Sequence, residues 1–393
     1  MGSLNMYLPP FAPDYSGACS LLYPMNAMLV IHDAQGCTSN YTGFDEPRWY
    51  ASRKNVFCSG LRKLDVALGN EEKYLQRIAR AAQELGPELI ALVGSPVPMV
   101  MGTDFAALAA EIELHTGIAT LGLETDGLGS YQDGIAMAGV RLMDRLLPED
   151  RRIRRCQVNL LGATPLDFTE EVMEHIVRQL ALRGWTVNGI FRENSSAADL
   201  QAMRHAEVSL ALSSGGVEMA RWLEQYYSIP WLAAVPVGAG GTEEIGQALN
   251  ALRDGERPSG FLEKLRRDAP ETGRALVLYE GIAGWSIARA LERLRPMWAV
   301  TAVHPFADRL RGRPESVRQI SREGEIEALL REPWTAVIAD PVLLDLIAED
   351  HPAMRIPLGE FSVSSHLSKK AEWNFIDASF EQNIRRCLYE QKE

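Results

Sequence analysis

Short apolar runs alternate with amphipathic stretches along most of this chain. Residues 156–162 (CQVNLLG) predict a buried strand, and residues 168–183 that follow it predict a helix that Gly184 ends. Strands separated by helices of this length pair in parallel and carry helices on both faces of the sheet. The pattern therefore predicts an α/β fold with parallel, Rossmann-like sheets.

The alternation gives a definite set of elements. Predicted strands lie at 89–95, 119–124, 156–162, 187–192, 208–214, 230–237, 275–281, 299–305 and 335–340. Predicted helices lie at 103–115, 131–147, 168–183, 197–204, 217–227, 242–253, 283–294, 315–331 and 341–349. Residues 1–60 are rich in Pro, Tyr, Gly and Ser and show no long helical period.

Polar stretches divide this series into three α/β units. The segments 145–155 and 253–273 are charged and contain Pro, so they predict boundaries. The predicted units are 1–150, an N-terminal domain; 151–270, a second domain; and 271–393, a third domain that ends in an amphipathic helix at 376–393.

Composition excludes several classes of function. Lys and Arg number 40 against 52 Asp and Glu, and the resulting charge of −12 argues against general nucleic-acid binding. No segment reaches the ~18 apolar residues of a membrane span, and the first residues lack the basic and apolar regions of a signal peptide. We therefore expect a cytoplasmic protein. Its five cysteines, an odd number without a regular framework, fit a reducing compartment.

Two cysteines near the N-terminus are candidates for metal binding. Residues 29–31 (LVI) predict a short strand, and the loop 32–37 leaves its carboxyl end, where ligands bind in open α/β sheets. Gly36 removes a Cβ beside Cys37, which lets a metal approach the backbone. Cys19 shares these Gly-containing, non-helical surroundings.

Of the other three cysteines, one is a further candidate for metal binding and two are not. Cys58, in the stretch NVFCSGL, has a setting similar to that of Cys37. Cys156 and Cys387 are better explained as small buried hydrophobes. The spacing of Cys19, Cys37 and Cys58 matches neither a ferredoxin nor a zinc ribbon.

The stretch 17–40, with Cys19 and the later Gly36–Cys37 pair, resembles the opening of nitrogenase component 1 type proteins. That family includes subunits of the molybdenum–iron protein, cofactor-assembly scaffolds, dark-operative protochlorophyllide reductases and the nickel-sirohydrochlorin diamide reductase. Three further segments resemble family elements: an acidic element at 65–73 (DVALGNEEK), the strand and ligand loop at 89–105, and the strand that opens the second domain at 156–165.

The resemblance implies a fold, a cofactor and a partner. It implies three α/β domains, a dimer, and an iron–sulfur cluster held near the interface by N-terminal cysteines of both chains. It also implies that electrons come from a separate ATP-hydrolysing iron–sulfur reductase. This sequence lacks the G-x-x-x-x-G-K-[ST] loop, so ATP is expected only on that partner.

The sequence departs from the family at the third cluster cysteine, whose position is Pro96 here. Two interpretations of the ligand set remain. In a homodimer, Cys19 and Cys37 of each chain supply four thiolates, enough for one [4Fe–4S] cluster. Alternatively, Cys58 joins them and makes room for a larger cluster. No clear counterpart of the nitrogenase cofactor ligands is present, so a molybdenum nitrogenase is not expected.

Three histidines are candidate catalytic residues: the His32 imidazole could tune the potential of the cluster by a hydrogen bond to sulfur, and His304 or His366 could donate a proton in a reduction. His32 lies beside the cluster loop, His304 ends a predicted strand of the third domain, and His366 lies in a polar loop. Asp45, Glu46 and Arg48 follow the cluster loop in a segment predicted to be an exposed surface.

The resemblance implies that the chain is the catalytic component of a two-component ATP-dependent reductase similar to nitrogenase. Its substrate would bind between domains and would be a tetrapyrrole, a metal-containing cofactor or a small sulfur compound. Two alternatives remain open: a non-catalytic scaffold or carrier for metallocluster assembly, and a metal-free relative that binds a small ligand.

Overall fold

The computed structural model describes residues 5–52, 54–62, 72–262, 265, 272–310, 312–367, 375–376 and 379–390. Within these ranges the strands form three sheets, and every pairing between strands is parallel. The predicted α/β class with parallel sheets is therefore confirmed. Residues 65–71 of the predicted acidic element lie outside the described residues.

The first sheet has the strand order β2-β1-β3-β4. Its strands are β1 (Ala27–Ile31), β2 (Asn55–Cys58), β3 (Leu89–Val93) and β4 (Thr120–Leu123). The helices of this region are α1 (Asp14–Leu22), α2 (Gly36–Asn40), α3 (Glu72–Leu85), α4 (Pro96–Val100), α5 (Phe105–Thr116) and α6 (Tyr131–Leu146), with a π-helical turn at Tyr41–Asp45.

The second sheet has the order β6-β5-β7-β8-β9. Its strands are β5 (Gln157–Leu161), β6 (Thr186–Asn188), β7 (Val208–Ala211), β8 (Trp231–Ala233) and β9 (Gly260–Phe261). The helices are α7 (Glu170–Leu182), α8 (Ala197–Ala202), α9 (Ser214–Tyr227) and α10 (Gly238–Arg253), with a 3-10 turn at Met203–His205.

The third sheet has the order β12-β11-β10-β13-β14. Its strands are β10 (Gly273–Leu278), β11 (Trp298–His304), β12 (Arg318–Gln319), β13 (Ala336–Ala339) and β14 (Met354–Pro357). The helices are α11 (Gly281–Leu294), α12 (Glu323–Leu330), α13 (Pro341–Leu344), α14 (Phe361–Ser364) and α15 (Ser379–Glu390), with a 3-10 turn at Ser365–Leu367.

Two segments differ from the sequence prediction. The predicted helix at 315–331 is instead the short strand β12 followed by the helix α12. Buried Val317 and Ile320 are three positions apart, as on a helix face, but Arg318 and Gln319 pair in parallel with Val303 and His304 of β11, so tertiary strand pairing overrides the local pattern. The predicted helix at 341–349 is reduced to the four residues of α13.

A glycine contact fixes how α1 crosses α6. A Cβ on Gly134 of α6 would overlap the Asp14 carbonyl oxygen and lie 2.8 Å from the Ala18 amide nitrogen. Only a residue without a side chain permits this approach. The crossing brings the first turn of α6 towards the second and third sheets, and one continuous apolar core includes residues of all three sheets.

The end of the chain returns to the second sheet. The amide of Gly238, at the start of α10, donates to the Phe375 carbonyl at 2.9 Å. The Ala239 amide donates to the Glu381 carboxylate of α15 at 3.0 Å. The first turn of α10 is therefore completed by residues more than 130 positions later in the chain. In the part of the chain that the structure describes, no helix has the length and apolar character needed to cross a membrane.

Candidate functional site

The carboxyl ends of three strands meet at one edge of the first sheet. Ile31, the last residue of β1, pairs with Cys58 in β2 and with Val93 in β3. The loops that follow these strands therefore lie side by side. In parallel sheets this edge is where ligands bind.

The loop after β1 is held by one carboxylate. Asp33 Oδ2 accepts the backbone N–H groups of Gln35 and Cys37, each at 2.8 Å. The Asp33 amide donates to Ser59 Oγ at 3.1 Å, and the Leu61 amide donates to the Asp33 carbonyl at 2.8 Å. These bonds lock the loop before Cys37 to the loop that follows Cys58. Cys37 itself lies in the first turn of α2, so the expectation that it lies in a non-helical segment is wrong.

The structure brings Cys37 and Cys58 together. Both side chains are half-buried. Burial raises the pKa of the Cys37 thiol, as do the charges of Asp33 and Cys58, while hydrogen bonds from Tyr15 and Ser95 lower it. The Cys58 thiol donates to the Asp33 carbonyl at 3.3 Å and accepts the Gly60 N–H at 3.3 Å. The two thiols are thus neighbours at the ligand-binding edge.

Pro96 begins the short helix α4 at the same edge. The position that corresponds to the third cluster cysteine therefore lies near the thiol pair but offers no ligand atom. Among the described residues, no group of three or more His, Cys, Asp or Glu side chains is arranged to hold a metal ion. Beside Pro96, α4 exposes apolar side chains, with Val100 90% exposed and Val97 45% exposed.

Cys19 has different surroundings. The expectation that it lies in a non-helical segment is wrong, because it lies in α1, all of whose residues are buried. Its thiol is fully buried, and burial together with the Glu46 charge raises its pKa. A thiol buried in this way presents no exposed surface to a ligand.

The segment after the cluster loop is buried rather than exposed. Glu46 is 0% exposed and forms an ion pair with Arg48, whose Nε lies 2.6 Å from Glu46 Oε1. Ser20 Oγ and Tyr41 Oη donate to Glu46 Oε2 at 3.0 and 2.9 Å. The prediction of an exposed surface at Asp45 and Glu46 is therefore wrong. Burial also raises the pKa of Asp45 to about 6.

The three candidate histidines lie in three separate environments. His32 is buried against the rings of Tyr74 and Phe105, at centroid distances of 5.3 and 6.0 Å. Burial lowers its pKa to about 4, so the imidazole is neutral near neutral pH and has no proton to spare as a cation. His304 ends β11, and its Nε2 lies 2.9 Å from Asp308 Oδ2. Both atoms belong to buried side chains.

His366 lies in the 3-10 turn after α14, between the rings of Tyr50 and Phe361 at centroid distances of 6.2 and 5.2 Å. The structure does not bring His32, His304 and His366 together. Their catalytic roles therefore stay predictions.

A cavity of about 910 Å³ lies between the three sheets. The first region contributes Tyr23, Arg48 and Lys54, the second contributes residues of the loop after β5 and of α7, and the third contributes 359–361. Much of the wall is apolar, with Phe168, Phe191, Phe361, Met173 and Val177 among the lining residues. This volume lies within the usual range for a small-molecule site.

Four buried carboxyl groups lie at the junction beside this cavity, and none of them is among the residues predicted from the sequence. They are Asp167 in the loop after β5, Glu280 at the start of α11, Asp340 after β13 and Glu360 after β14. Each follows closely on a strand, so the rule that ligands bind at strand ends identifies them in retrospect. Sequence alone does not show that elements so distant along the chain converge.

Cys156, Cys387 and the loop before α9 have simpler roles. Cys156 is exposed, so the prediction that it is buried is wrong, while Cys387 is half-buried. The loop before α9 is an ordinary helix start, in which Ser213 Oγ accepts the Gly216 N–H at 3.3 Å.

The chain is similar to known proteins over most of its length. The family model for nitrogenase component 1 type oxidoreductases matches residues 14–332. The nitrogenase iron-molybdenum cofactor biosynthesis protein NifE of Klebsiella pneumoniae is 23% identical over 94% of this chain and 84% of its own length. NifE of Rhodobacter capsulatus is 23% identical over 71% of this chain.

A subunit of the light-independent protochlorophyllide reductase of Prochlorococcus marinus (strain NATL2A) is 34% identical over 64% of this chain. This chain spans 64% of the Rhodobacter relative and 50% of the Prochlorococcus relative. Among solved structures, nitrogenase Cp1 at pH 6.5 superposes with a TM-score of 0.73 at 13% identity and covers 100% of this chain and 95% of its own.

Proposed function

Because the chain belongs to the nitrogenase component 1 type oxidoreductases, we propose that it is the catalytic component of a two-component ATP-dependent reductase. The observation that carries the proposal is the pair of half-buried thiols, Cys37 and Cys58, at the ligand-binding edge of the first sheet. A separate iron–sulfur ATPase would deliver electrons there, and a substrate would be reduced in the cavity between the sheets.

The residues present fit half of an iron–sulfur site. Clusters of the [4Fe–4S] type are held by four thiolates, and one chain offers two at this edge. A second copy of the chain would supply the other two. The exposed apolar side chains of α4, next to the thiols, favour an interface at this place. Cys19 is not among the proposed cluster ligands, because its side chain is fully buried in the core.

The surrounding groups suit the two thiols to this role. When bound, the cluster would supply one-electron transfer. The Gly60 N–H already donates to the Cys58 sulfur, and a hydrogen bond with Tyr15 lowers the pKa of the Cys37 thiol. Hydrogen bonds of this kind stabilise a thiolate and tune the potential of the metal centre that it binds. The Asp33 carboxylate keeps both loops in register.

Iron and acid-labile sulfide in protein purified without oxygen test the proposal. We expect about four of each per dimer, with loss of most of both in Cys37→Ala and Cys58→Ala. Cys156→Ala is the matched control, because Cys156 is exposed and lies in another part of the fold. Unchanged iron in both variants, or loss in Cys19→Ala alone, would contradict the ligand set. Absence of iron after reconstitution would favour the metal-free relative that binds a small ligand.

A second function is favoured by one comparison. The alignment with NifE of Klebsiella pneumoniae covers 94% of this chain, and that protein is named for cofactor biosynthesis. A scaffold or carrier for a metallocluster would use the same cavity to hold its cargo. The two functions differ in whether the protein releases a reduced product or transfers its metal. An enzyme turns over repeatedly with an ATP-dependent reductase, whereas a scaffold loses its metal stoichiometrically to an acceptor protein.

A further inference from the structure

Arg48 lies on the wall of the cavity, and its guanidinium group is held in one orientation. Its Nε and Nη2 atoms donate to the Glu46 carboxylate at 2.6 and 2.8 Å, and Nη2 also donates to the Ser20 carbonyl at 3.0 Å. The guanidinium carbon lies 4.6 Å from the centroid of the Tyr23 ring, which lines the same cavity. Three hydrogen bonds and one ring contact therefore fix this cation before any ligand binds.

One edge of the Arg48 guanidinium group is free. A guanidinium group has five N–H donors, and the three on Nε and Nη2 are used. The two on Nη1 have no acceptor among the described residues, and Nη1 is not one of the buried atoms that lack a partner. Nη1 therefore has exposed surface, in a side chain that is 28% exposed and belongs to the cavity wall. Arginine has no acceptor atom, so only an acceptor group can complete this edge.

Other polar side chains of the wall are already paired. The Tyr23 hydroxyl donates to the Ser52 carbonyl. Both Asp167 oxygens accept hydrogen bonds from side chains in the first turn of α6. Lys54 Nζ donates to Asn194 Oδ1 at 2.9 Å. Arg48 therefore differs from these neighbours in having donors left for a ligand.

Two further arginines, Arg178 and Arg192, line the cavity, but both are exposed, and no described residue accepts a hydrogen bond from either guanidinium group. Fixing such a mobile side chain on binding costs conformational entropy, which Arg48 has already lost on folding. Glu46, the partner of Arg48, is fully buried, so a ligand meets the donor edge of the ion pair and not its carboxylate.

We propose that Arg48 is a ligand-binding residue, and that its Nη1 edge holds an oxyanion, such as a carboxylate, of the molecule in the cavity. The inference rests on the proposed function, because it takes this cavity as the site of the bound molecule. The aromatic and aliphatic wall suits an extended apolar body. Hydrogen bonds between a guanidinium group and an oxyanion are of the strong, charge-assisted kind. The class of ligand is therefore an apolar molecule with an acidic group at its edge.

Two fluorescent probes of the same shape test this proposal. Pyrenebutyrate carries a carboxylate where pyrenebutanol carries a hydroxyl group, and the cavity of about 910 Å³ has room for either. Titration of the full chain at neutral pH should give a Kd about tenfold lower for the carboxylate. Arg48→Lys should remove that preference and leave binding of the alcohol unchanged, because lysine can pair with Glu46 but has no second donor edge. Equal affinity of the wild type for the two probes would overturn the proposal, whether or not the variant folds.

Arg274→Lys is the matched control. Arg274 Nη2 lies 3.0 Å from Glu332 Oε2, and its guanidinium carbon lies 4.5 Å from the centroid of the Trp334 ring. Arg274 thus has the same kind of ion pair and ring contact as Arg48, but it does not line the cavity. This variant should leave both affinities unchanged.

Two more variants locate the probes. Val177→Trp should weaken the binding of both, because Val177 lines the cavity and the larger ring would fill it. Unchanged binding there would show that the acid binds elsewhere and would contradict the proposal. Loss of the carboxylate preference in Arg192→Lys, with the preference kept in Arg48→Lys, would contradict it as well. None of these measurements depends on iron, so failure here is distinct from failure of the two-component reductase.

Discussion

Replacing Arg48 with methionine should destabilise the protein strongly. The substitution keeps an apolar stem of similar length but removes the guanidinium from Glu46, which has no exposed surface. Breaking a buried ion pair by removing one partner costs about 3–5 kcal/mol, because the remaining charge is buried without compensation. Here Ser20 and Tyr41 still donate to Glu46 Oε2, so we expect a value near 3 kcal/mol, the low end of that range.

Urea unfolding of the wild type and of the variant measures this loss. Arg80→Met is the matched control, because Arg80 forms an ion pair with Glu84 in which the two side chains are 82% and 66% exposed. Such pairs contribute about 0.3–0.5 kcal/mol. The double variant Glu46→Gln/Arg48→Met should recover part of the stability, since it no longer buries a charge. A loss in Arg48→Met no greater than that in Arg80→Met would refute the reasoning.

Three further predictions concern the region around α1. Gly134→Ala should lower the free energy of unfolding by about 3 kcal/mol or prevent folding, because its Cβ would overlap the backbone of α1. Gly43 has open space around it, so the control Gly43→Ala should hardly change stability in urea unfolding. Burial raises the pKa of Asp45 from 3.8 to about 6, so this group favours folding most at low pH. The free energy of unfolding should fall by about 3 kcal/mol as the pH rises from about 4 to about 6. Asp45→Asn should remove this part of its pH dependence. In native protein a thiol reagent should label exposed Cys156 first and Cys19 only on unfolding; rapid labelling of Cys19 would contradict its burial.

The sequence was sufficient for the central strands of the sheets, but not for the edge strands β2, β9, β12 and β14 or for every helix. Strands such as β3 and β10 are continuous apolar runs, which are typical of strands buried on both faces. Helix α1 could not be predicted because all nine of its residues are buried, so it has no polar face and no amphipathic period. The expectation that Cys19 lies in a non-helical segment fails for the same reason.

The candidate site divides in a similar way. The loop with Cys37 could be predicted because it directly follows a strand and contains Gly36. The buried carboxyl groups could not, because Asp167 and Glu360 are almost 200 positions apart and line one cavity only when the three sheets pack together. Charged side chains are normally exposed, so sequence gives no reason to place either one beside a cavity.

The return of α15 to the start of α10 has a consequence for biosynthesis. Residues 238–253 leave the ribosome long before Phe375 and Glu381, which bind their first amides. During synthesis the first amides of α10, beside the second sheet, therefore lack these hydrogen-bond partners. The start of α10 reaches its final form only when Phe375 and Glu381 have been translated, so a premature stop before residue 375 damages a region translated far upstream.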